Sequence, residues 1–273
     1  MIFHHSLDPI ALDLGFFEIR WYGIFYAISF LLAFFWLQNL AKNRLIDFSK
    51  KQIEDLIFAV ILGVFFGGRI GYFLFYNFEN LFSLELFKIW HGGMSFHGGL
   101  IGVLISVFWL AKKWRKSFLA ILDALVIPAA IGLFFGRIGN FVNGELWGRP
   151  IHSTGSLSTS SGQAGQASGE WGVVFPRADA LPRFPSQLFE AAKNLMIAGI
   201  LFLTFQKKPR TGILSFLFLT FYGGGRILVE FFWREPLDGF IFAIPRGAFF
   251  SLPVFAAGVL GLIFLNFKRA RRM

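Results

Sequence analysis

Residues 136–149 read G-R-I-G-N-F-V-N-G-E-L-W-G-R and follow an apolar run that covers residues 119–135. These fourteen residues contain two arginines, two asparagines, one glutamate and four glycines. An ionisable side chain at membrane depth costs about 2.5–3.5 kcal/mol on insertion scales, so such residues mark functional sites by default. The alternative is a helix end whose long basic side chains extend to the membrane interface. The density of polar groups among glycines favours a functional site.

The overall composition indicates a membrane protein. Of the 273 residues, 55% are hydrophobic and 19% aromatic, only 15% are charged, and the mean hydropathy is +0.61. A water-soluble core of this size would not hold 39 phenylalanines, whereas in lipid they need no burial. The net charge of +10 does not indicate nucleic-acid binding, because the basic residues fall in short runs between apolar spans. The chain has no cysteine, which excludes disulfides, thiol nucleophiles and thiolate metal ligands.

Seven apolar runs are long enough to cross a hydrocarbon core of about 30 Å. They cover approximately residues 21–41, 54–77, 96–112, 119–138, 187–206, 211–231 and 246–267. Basic residues concentrate after the first, third, fifth and seventh runs, at 42–51, 112–116, 207–210 and 268–272. By the positive-inside rule, this pattern predicts an N-terminus outside and a cytoplasmic C-terminus. We therefore predict an all-α integral membrane protein in which residues 1–273 form a single polytopic domain of about seven transmembrane helices.

The segments predicted to face outwards carry the chemically unusual residues. Residues 78–95 alternate apolar and charged side chains, which is typical of an arm in the plane of the membrane interface. Residues 139–186 are the longest segment between spans and are predicted to form a periplasmic loop. Within this loop, residues 171–179 are typical of a small folded cap, and the Ser- and Gly-rich stretch 153–169 is typical of a flexible insert.

The tripeptide Gly-Arg-Ile occurs three times, around Arg69, Arg137 and Arg226, each in a span predicted to run outwards. A guanidinium group keeps its charge and donates hydrogen bonds in a fixed fork, which suits a phosphate ligand. The flanking glycines allow close helix packing and leave room for a ligand. The alternative is that each arginine pairs with an internal carboxylate such as Glu145 or Glu230 and only holds helices together. Arg226 and Glu230 have i, i+4 spacing on one helix face, where Glu230 either has that structural role or orients Arg226 for an anion.

A second polar cluster, H-G-G-M-S-F-H-G-G at residues 91–99, precedes the third span. Its two histidines, His91 and His97, are equally compatible with a structural and a catalytic role. Ser95 does not satisfy the G-x-S-x-G pattern and lacks its strand–turn–helix context, which excludes a serine hydrolase of that type. No H-E-x-x-H motif or close-set aspartate cluster is present, so we expect no metal site and no nucleotide-linked phospholipid transferase. Tyr22, at the start of the first span, is also compatible with an aromatic belt at the interface.

Taken together, these stretches resemble the bacterial phosphatidylglycerol–prolipoprotein diacylglyceryl transferase family. The resemblance is carried by residues 136–149 and by R-W-Y-G, H-G-G-M-S-F-H-G-G, F-P-R-A-D, P-S-Q-L-F-E-A and Y-G-G-G-R-I-L-V-E-F at residues 20–23, 91–99, 175–179, 185–191 and 222–231. These stretches occur in the family's order and cover essentially the whole chain. The seven-span topology agrees with that of the family and is predicted without it.

The resemblance implies a multi-pass enzyme of the bacterial inner membrane, with its active site towards the periplasm. It would transfer the sn-1,2-diacylglyceryl group of phosphatidylglycerol to the lipobox cysteine thiol of a prolipoprotein, forming a thioether and releasing glycerol phosphate. This is the first step of bacterial lipoprotein maturation. The expected partners are phosphatidylglycerol, the signal peptide and lipobox of the precursor, and membrane lipids, with no cofactor, metal or nucleic acid.

The resemblance and the polar clusters together define the expected site. Catalysis is expected to involve His97, Arg137, Glu145 and Arg226, and phosphatidylglycerol is expected to contact Tyr22, Arg69, Arg137, Asn140, Asn143, Arg226 and Glu230. Arg137 and Arg226 would clamp the phosphate, while Asn140, Asn143 and Glu145 would orient the headgroup or an arginine. His97 would be the general base for the thiol or would only position the headgroup.

This sequence departs from the family pattern in three places. Family members often have a histidine before P-S-Q, where this chain has Phe184, so no catalytic role follows at that position. The segment after Glu230 is one residue longer than the usual pattern, which leaves the placement of Arg234 open. The insert at 153–169 is longer than is typical.

Two other classes of function fit part of the pattern. An anionic-solute or lipid transporter could use the same arginine cluster, but the glycine-rich breaks lie near the outer interface rather than at the membrane midplane. A structural scaffold that binds lipoproteins would need no buried histidine or arginine, and conservative changes at those residues would leave its function intact.

Overall fold

The computed structural model of the chain describes residues 1–80, 83–88, 93–151, 171–237 and 239–270. Within these ranges, seven helices are long and apolar enough to cross a membrane, which confirms the predicted fold class. They are α1 (Trp21–Lys42), α2 (Lys50–Tyr76), α3 (Phe96–Trp114), α4 (Phe118–Val142), α5 (Ser186–Gln206), α6 (Ile213–Phe232) and α7 (Arg246–Ala270). Short strands lie between them: β1 (Ile2–His4), β2 (Ile10–Asp13), β3 (Glu18–Arg20), β4 (Gly172–Val174), β5 (Pro182–Arg183), β6 (Phe240–Ile241) and β7 (Ile244–Pro245).

Two helix ends differ from the predicted bounds for physical reasons. α2 begins at Lys50 rather than near residue 54, because Ser49 and Gln52 form a capping box in which each side chain accepts a hydrogen bond from the other's backbone N–H. α4 continues to Val142 instead of ending near residue 138, and Gly144, with a φ of +61°, turns the chain away after it. As a result, half of the 136–149 stretch is helical.

The chain divides into two compact units, one of which comprises Phe30–Leu125. In this unit α2 and α3 pack through glycines: a Cβ atom at Gly67 would lie 2.4 Å from the carbonyl oxygen of Gly98, and one at Gly63 would lie 2.7 Å from that of Gly102. Small residues of this kind let helices in lipid approach to backbone contact. The packing fixes the first turn of α3.

The other unit comprises Met1–Ser29 and Val126–Met273. Here α6 and α7 also pack through glycines, since a Cβ atom at Gly223 would lie 2.7 Å from the backbone nitrogen of Phe255. α5 packs against α6. The first turns of α5 bury an unusual number of polar side chains, namely Ser186, Gln187, Glu190, Lys193 and Asn194.

In this unit β1, β4 and β5 form a three-stranded sheet that includes part of residues 171–179, whereas β2 pairs with β3 and β6 pairs with β7 in separate two-stranded sheets. β1 pairs in parallel with β4, and β4 pairs antiparallel with β5. Phe175 follows β4 and is fully buried, with its ring centroid 5.3 Å from that of His5. The His5 Nε2 atom lies 2.7 Å from the carbonyl oxygen of Phe141, which attaches the N-terminal segment to the last turn of α4.

Several predictions concern features that the structure covers in part or not at all. The insert 153–169 and His91 lie outside the described residues. The arm 78–95 is described at 78–80, 83–88 and 93–95, where it contains the 3-10 turns Phe78–Asn80 and Leu84–Phe87. The assignment of an arm and a cap to the periplasm, and the orientation of the chain in the membrane, stay predictions.

Candidate active site

Glu190 lies at the centre of a buried cluster of charges. Its side chain, in the second turn of α5, is completely inaccessible to solvent. Arg226 on α6 donates to Glu190 Oε1 at 2.7 Å, and Lys193 on α5 donates to Oε2 at 2.8 Å. The Nε atom of Arg137 on α4 lies 3.6 Å from the same Oε2. Because an unpaired charge in the membrane interior is very costly, these partners explain how Glu190 is accommodated there.

Arg226 and Glu230 extend the cluster along α6. The NH2 atom of Arg226 lies 2.8 Å from Glu230 Oε2, so the predicted i, i+4 pair forms. Arg234 follows α6, and its Nε atom lies 3.6 Å from the same Glu230 oxygen. Burial lowers the pKa of Arg234 to about 10, and the charges of Arg226 and Arg137 act in the same direction. Arg234 therefore remains a cation at neutral pH and belongs to this cluster, a placement that the sequence left open.

Arg137 is linked to Glu145 through Asn140. The Arg137 NH1 atom donates to Asn140 Oδ1 at 3.3 Å, and the Asn140 Nδ2 atom donates to Glu145 Oε1 at 2.8 Å. Asn143 donates to the same Glu145 oxygen at 3.3 Å, and the side chain of Gln187 donates to the Glu145 carbonyl at 2.7 Å. The structure thus brings together four polar residues expected at the site from the 136–149 stretch. The hydrogen bonds that the Glu145 carboxylate accepts in the described part of the chain come from the side-chain amides of Asn140 and Asn143.

Asn143 also borders a cavity of about 220 Å³ between the N-terminal segment and residues 175–177. Its Oδ1 atom is buried without a hydrogen-bond partner in the described part of the chain. Arg177, at the edge of the cavity, donates to the Asn143 carbonyl at 3.0 Å. A buried amide oxygen without a partner is uncommon and costly, so Asn143 retains capacity for a hydrogen bond from a ligand or a water.

Tyr22 packs directly against α4 beside these residues. A Cβ atom at Gly139 would lie 2.6 Å from Cδ2 of the Tyr22 ring. The Tyr22 hydroxyl lies 3.4 Å from that of Tyr26 one turn further along α1. The position of Tyr22 is therefore within the site, whereas its expected contact with lipid stays a prediction.

The end of the 136–149 stretch is bonded to the segments that flank α5 and follow α6. The Gly148 N–H donates to the carbonyl of Phe184 at 2.9 Å, and the Arg149 N–H donates to that of Trp233 at 2.8 Å. A Cβ atom at Gly148 would lie 2.4 Å from the Phe184 oxygen, so only glycine fits here. Phe184 thus contributes its backbone to the site.

Arg183 joins the same region by ion pairs with Asp179 and Glu235. Its NH2 atom lies 2.6 Å from Asp179 Oδ2. The hydrogen bond from Arg183 holds the pKa of Asp179 below its usual value. Burial would lower the pKa of Arg183, but the two carboxylates outweigh it and raise that pKa.

His97 and Arg69 belong to the Phe30–Leu125 unit. His97 lies in the first turn of α3, which begins after Ser95, whose hydroxyl accepts from the Gly98 N–H. Arg69 is 4% exposed and donates to the backbone carbonyls of Glu85, Leu86, Lys88 and Gly93. Its guanidinium also lies 4.9 Å from the centre of the Phe73 ring. These hydrogen bonds attach residues 85–88 and 93 to α2. The expected contact of Arg69 with lipid stays a prediction.

Sequence reasoning missed Glu190 and Lys193 as site residues. Both lie inside an apolar span, where an ionisable side chain is itself a signal of function. Glu190 also lies in P-S-Q-L-F-E-A, one of the stretches that carry the family resemblance. Their position in a run that is long and apolar enough to span the membrane favours a purely structural role when only the sequence is considered.

The charged residues of the cluster are not balanced. Four cations, Arg137, Lys193, Arg226 and Arg234, accompany the three carboxylates Glu145, Glu190 and Glu230. Such an excess of positive charge among apolar helices favours an anionic ligand. Arg137 and Arg226 offer forked donors for a phosphate. Within the described ranges, no group of three or more histidine and acidic side chains is arranged to hold a metal ion.

Residues 9–264 match the family described as Prolipoprotein diacylglyceryl transferase. The phosphatidylglycerol–prolipoprotein diacylglyceryl transferase of Pseudoalteromonas atlantica is 43% identical over 264 residues, which are 93% of this chain and 88% of the relative. The proteins of the same name from Sodalis glossinidius and Vibrio cholerae are 43% and 41% identical over 268 and 271 residues. These matches cover 93% and 97% of this chain, and 92% and 93% of the two relatives. The matched residues include all the polar clusters described above.

Proposed function

Since the chain belongs to the prolipoprotein diacylglyceryl transferase family, we propose that it transfers the sn-1,2-diacylglyceryl group of phosphatidylglycerol to the lipobox cysteine of prolipoproteins. The chain is a multi-pass membrane transferase. In this proposal it acts in the bacterial inner membrane, on the periplasmic side, and its second partner is the signal peptide and lipobox of the precursor.

One observation carries the proposal: Arg137 from α4 and Arg226 from α6 meet at the buried carboxylate of Glu190 between apolar helices. In a phospholipid the phosphate lies between the polar headgroup and the apolar chains, so a cationic site among apolar helices suits it. Glu190 binds the Arg226 guanidinium and attracts that of Arg137, which Asn140 also contacts, so that little reorganisation is required when the phosphate binds.

The transfer requires a sulfur nucleophile and a phosphate leaving group. The thiol loses its proton, the sulfur forms a bond to the third glycerol carbon, and the bond between that carbon and the phosphate oxygen breaks. The electron pair of the broken bond stays on the oxygen of glycerol phosphate. Negative charge therefore grows on the phosphate during the reaction, and cations placed there stabilise the transition state more than the bound substrate.

The remaining residues would orient the reacting groups. Asn140 and Asn143 hold Glu145, and Asn140 also restrains Arg137, so this network would orient the headgroup or the arginine. His97 is the candidate base for the thiol proton, because an imidazole titrates closest to neutral pH. The alternative role for His97 is to position the headgroup.

The test measures release of glycerol phosphate by purified protein in detergent. The substrates are phosphatidylglycerol and a lipobox peptide that contains either cysteine or serine. We expect release only with the cysteine peptide and a loss of release in Arg137→Ala. Arg210→Ala is the matched control, because Arg210 is an exposed arginine between α5 and α6.

Release that does not depend on the cysteine would contradict group transfer. No release from folded wild-type protein that still binds phosphatidylglycerol would support the transporter alternative instead.

A further inference from the structure

Lys193 is a buried lysine that none of the proposed steps uses. Its side chain is 8% exposed, and its ammonium group lies 2.8 Å from Glu190 Oε2 and 4.5 Å from the centre of the Tyr222 ring. Gly225 makes room for the aliphatic part, since a Cβ atom at Gly225 would lie 2.6 Å from Lys193 Cδ. A buried lysine loses its hydration and its side-chain freedom, so its retention here calls for an explanation beyond packing.

Lys193 and Arg137 compete for one oxygen atom. The Lys193 ammonium is at hydrogen-bond distance from Glu190 Oε2, whereas Arg137 Nε is 3.6 Å from that atom and forms no hydrogen bond with it. Arg226 occupies the other oxygen, Oε1, at 2.7 Å. With Lys193 in place, Glu190 therefore attracts Arg137 without binding its guanidinium in a close pair.

Lys193 also determines the net charge of the cluster. With Lys193 the four cations exceed the three carboxylates by one, and without it the two are equal. A phosphodiester carries one negative charge, and the departing glycerol phosphate gains a second as the carbon–oxygen bond breaks. The excess cation is thus most useful after the reaction has begun.

We propose that Lys193 is a positioning residue for the phosphate site: it occupies Glu190 Oε2, which keeps the Arg137 guanidinium available to the phosphate of an anionic lipid, and it supplies the positive charge in excess. In Lys193→Met, Arg137 closes on Glu190 and the cluster becomes neutral. The inference rests on the proposed transferase activity, so its test also includes a binding measurement that needs no turnover.

The first arm compares steady-state kinetics of the wild type, Lys193→Met and Lys193→Arg. We expect kcat of Lys193→Met to fall about tenfold or more, which corresponds to about 1.4 kcal/mol of transition-state stabilisation, while KM for phosphatidylglycerol changes by less than about threefold. Lys193→Arg, which keeps the charge, should retain most of the activity. A residue needed only for folding would instead lower the yield of folded protein and leave kcat of the folded fraction unchanged.

Lys116→Met is the matched control, because Lys116 also pairs with a carboxylate and lies over an aromatic ring. Its ammonium is 3.0 Å from Asp47 and 4.9 Å from the centre of the Phe48 ring, in a loop of the other unit. We expect wild-type kinetics for Lys116→Met. Equal kinetics of Lys193→Met and Lys116→Met would overturn the inference.

The second arm measures binding of glycerol phosphate to each purified variant by calorimetry. We expect affinity to fall about tenfold in Lys193→Met and to stay near the wild-type value in Lys193→Arg and Lys116→Met. This arm reports on the anion site even if the protein proves not to be a transferase. Unchanged affinity in folded Lys193→Met would overturn the inference whatever the outcome for the activity.

Discussion

Arg226 and Glu190 form an ion pair between α6 and α5, with 2.7 Å between Arg226 NH1 and Glu190 Oε1, and the Glu190 side chain is fully buried. The desolvation of a buried pair offsets most of its attraction, so such a pair is weak evidence of a gain in stability over apolar residues. The retention of this pair is better explained by the position that it gives the Arg226 side chain. The pair fixes where the Arg226 fork lies, and therefore where a phosphate would bind.

Glu190→Gln removes the charge that Arg137, Lys193 and Arg226 share and keeps the shape of the side chain. Breaking a buried pair by removing one partner costs about 3–5 kcal/mol, because the remaining charges are left uncompensated. We expect a clear fall in the thermal unfolding temperature in detergent and a loss of turnover of about a hundredfold or more, since the arginines lose their common anchor. Both are measured on the purified variant.

Glu18→Gln is the control for this change, because Glu18 pairs with Arg20 at the surface, with 43% and 61% of the two side chains exposed. An exposed pair contributes about 0–1 kcal/mol, so the variant should resemble the wild type. Wild-type turnover in Glu190→Gln would show that Glu190 is not the anchor of the site.

Arg137→Lys tests the need for a forked donor. Arg137 Nε lies 3.6 Å from Glu190 and its NH1 atom donates to Asn140, and a compact ammonium group cannot keep both positions and also present a planar pair of donors to a phosphate. We expect turnover to fall about a hundredfold, with folding preserved because the charge remains. Arg210→Lys, at an exposed position, should have no effect. Near-normal turnover of Arg137→Lys would exclude the forked clamp.

The helices could be predicted from the sequence because each is a long apolar run, and lipid imposes that requirement locally. The pair of Arg226 and Glu230 could also be predicted, because both lie on one helix at i, i+4 spacing. Glu190 could not be paired with its partners in this way. Its contacts with Arg137 and Arg226 join three helices, and no local pattern states which helices are neighbours or which faces meet.

The loop contacts of the site show the same limit. The backbone pairing of Gly148 with Phe184, and the placement of Arg234 against Glu230, depend on how segments distant in the chain approach one another. Likewise, the sequence of residues 1–5 does not predict the contact of His5 with the last turn of α4. The motifs indicated some of the candidate site residues, whereas tertiary packing determined their partners.

Gly148 and Gly136 lie in the same stretch and differ in their surroundings. A Cβ atom at Gly148 would lie 2.4 Å from the Phe184 oxygen and 2.6 Å from the Trp233 oxygen, whereas none of the described atoms lies within 4 Å of one at Gly136. We expect Gly148→Ala to displace the loop and lower both stability and turnover. Gly136→Ala should fold normally, with a gain of up to about 1 kcal/mol from helix propensity. Thermal unfolding and turnover of the two variants are compared side by side, and equal behaviour would contradict the backbone contact at Gly148.

The ion pair of Asp179 and Arg183 predicts a pH dependence of the folded region around β4 and β5. The hydrogen bond from Arg183 lowers the pKa of Asp179 in the folded protein, so this carboxyl contributes stability above its unfolded pKa of about 3.8. That contribution is lost as the pH falls below this value and through the folded pKa. We therefore expect peptides from residues 172–183 to be better protected from hydrogen exchange in the wild type than in Asp179→Asn at pH 6. This difference in protection should shrink towards pH 3. Asp13→Asn, at an exposed turn where the aspartate accepts from the Gly15 N–H, should leave this difference unchanged. A difference that is the same at both pH values would contradict the assigned role of Asp179.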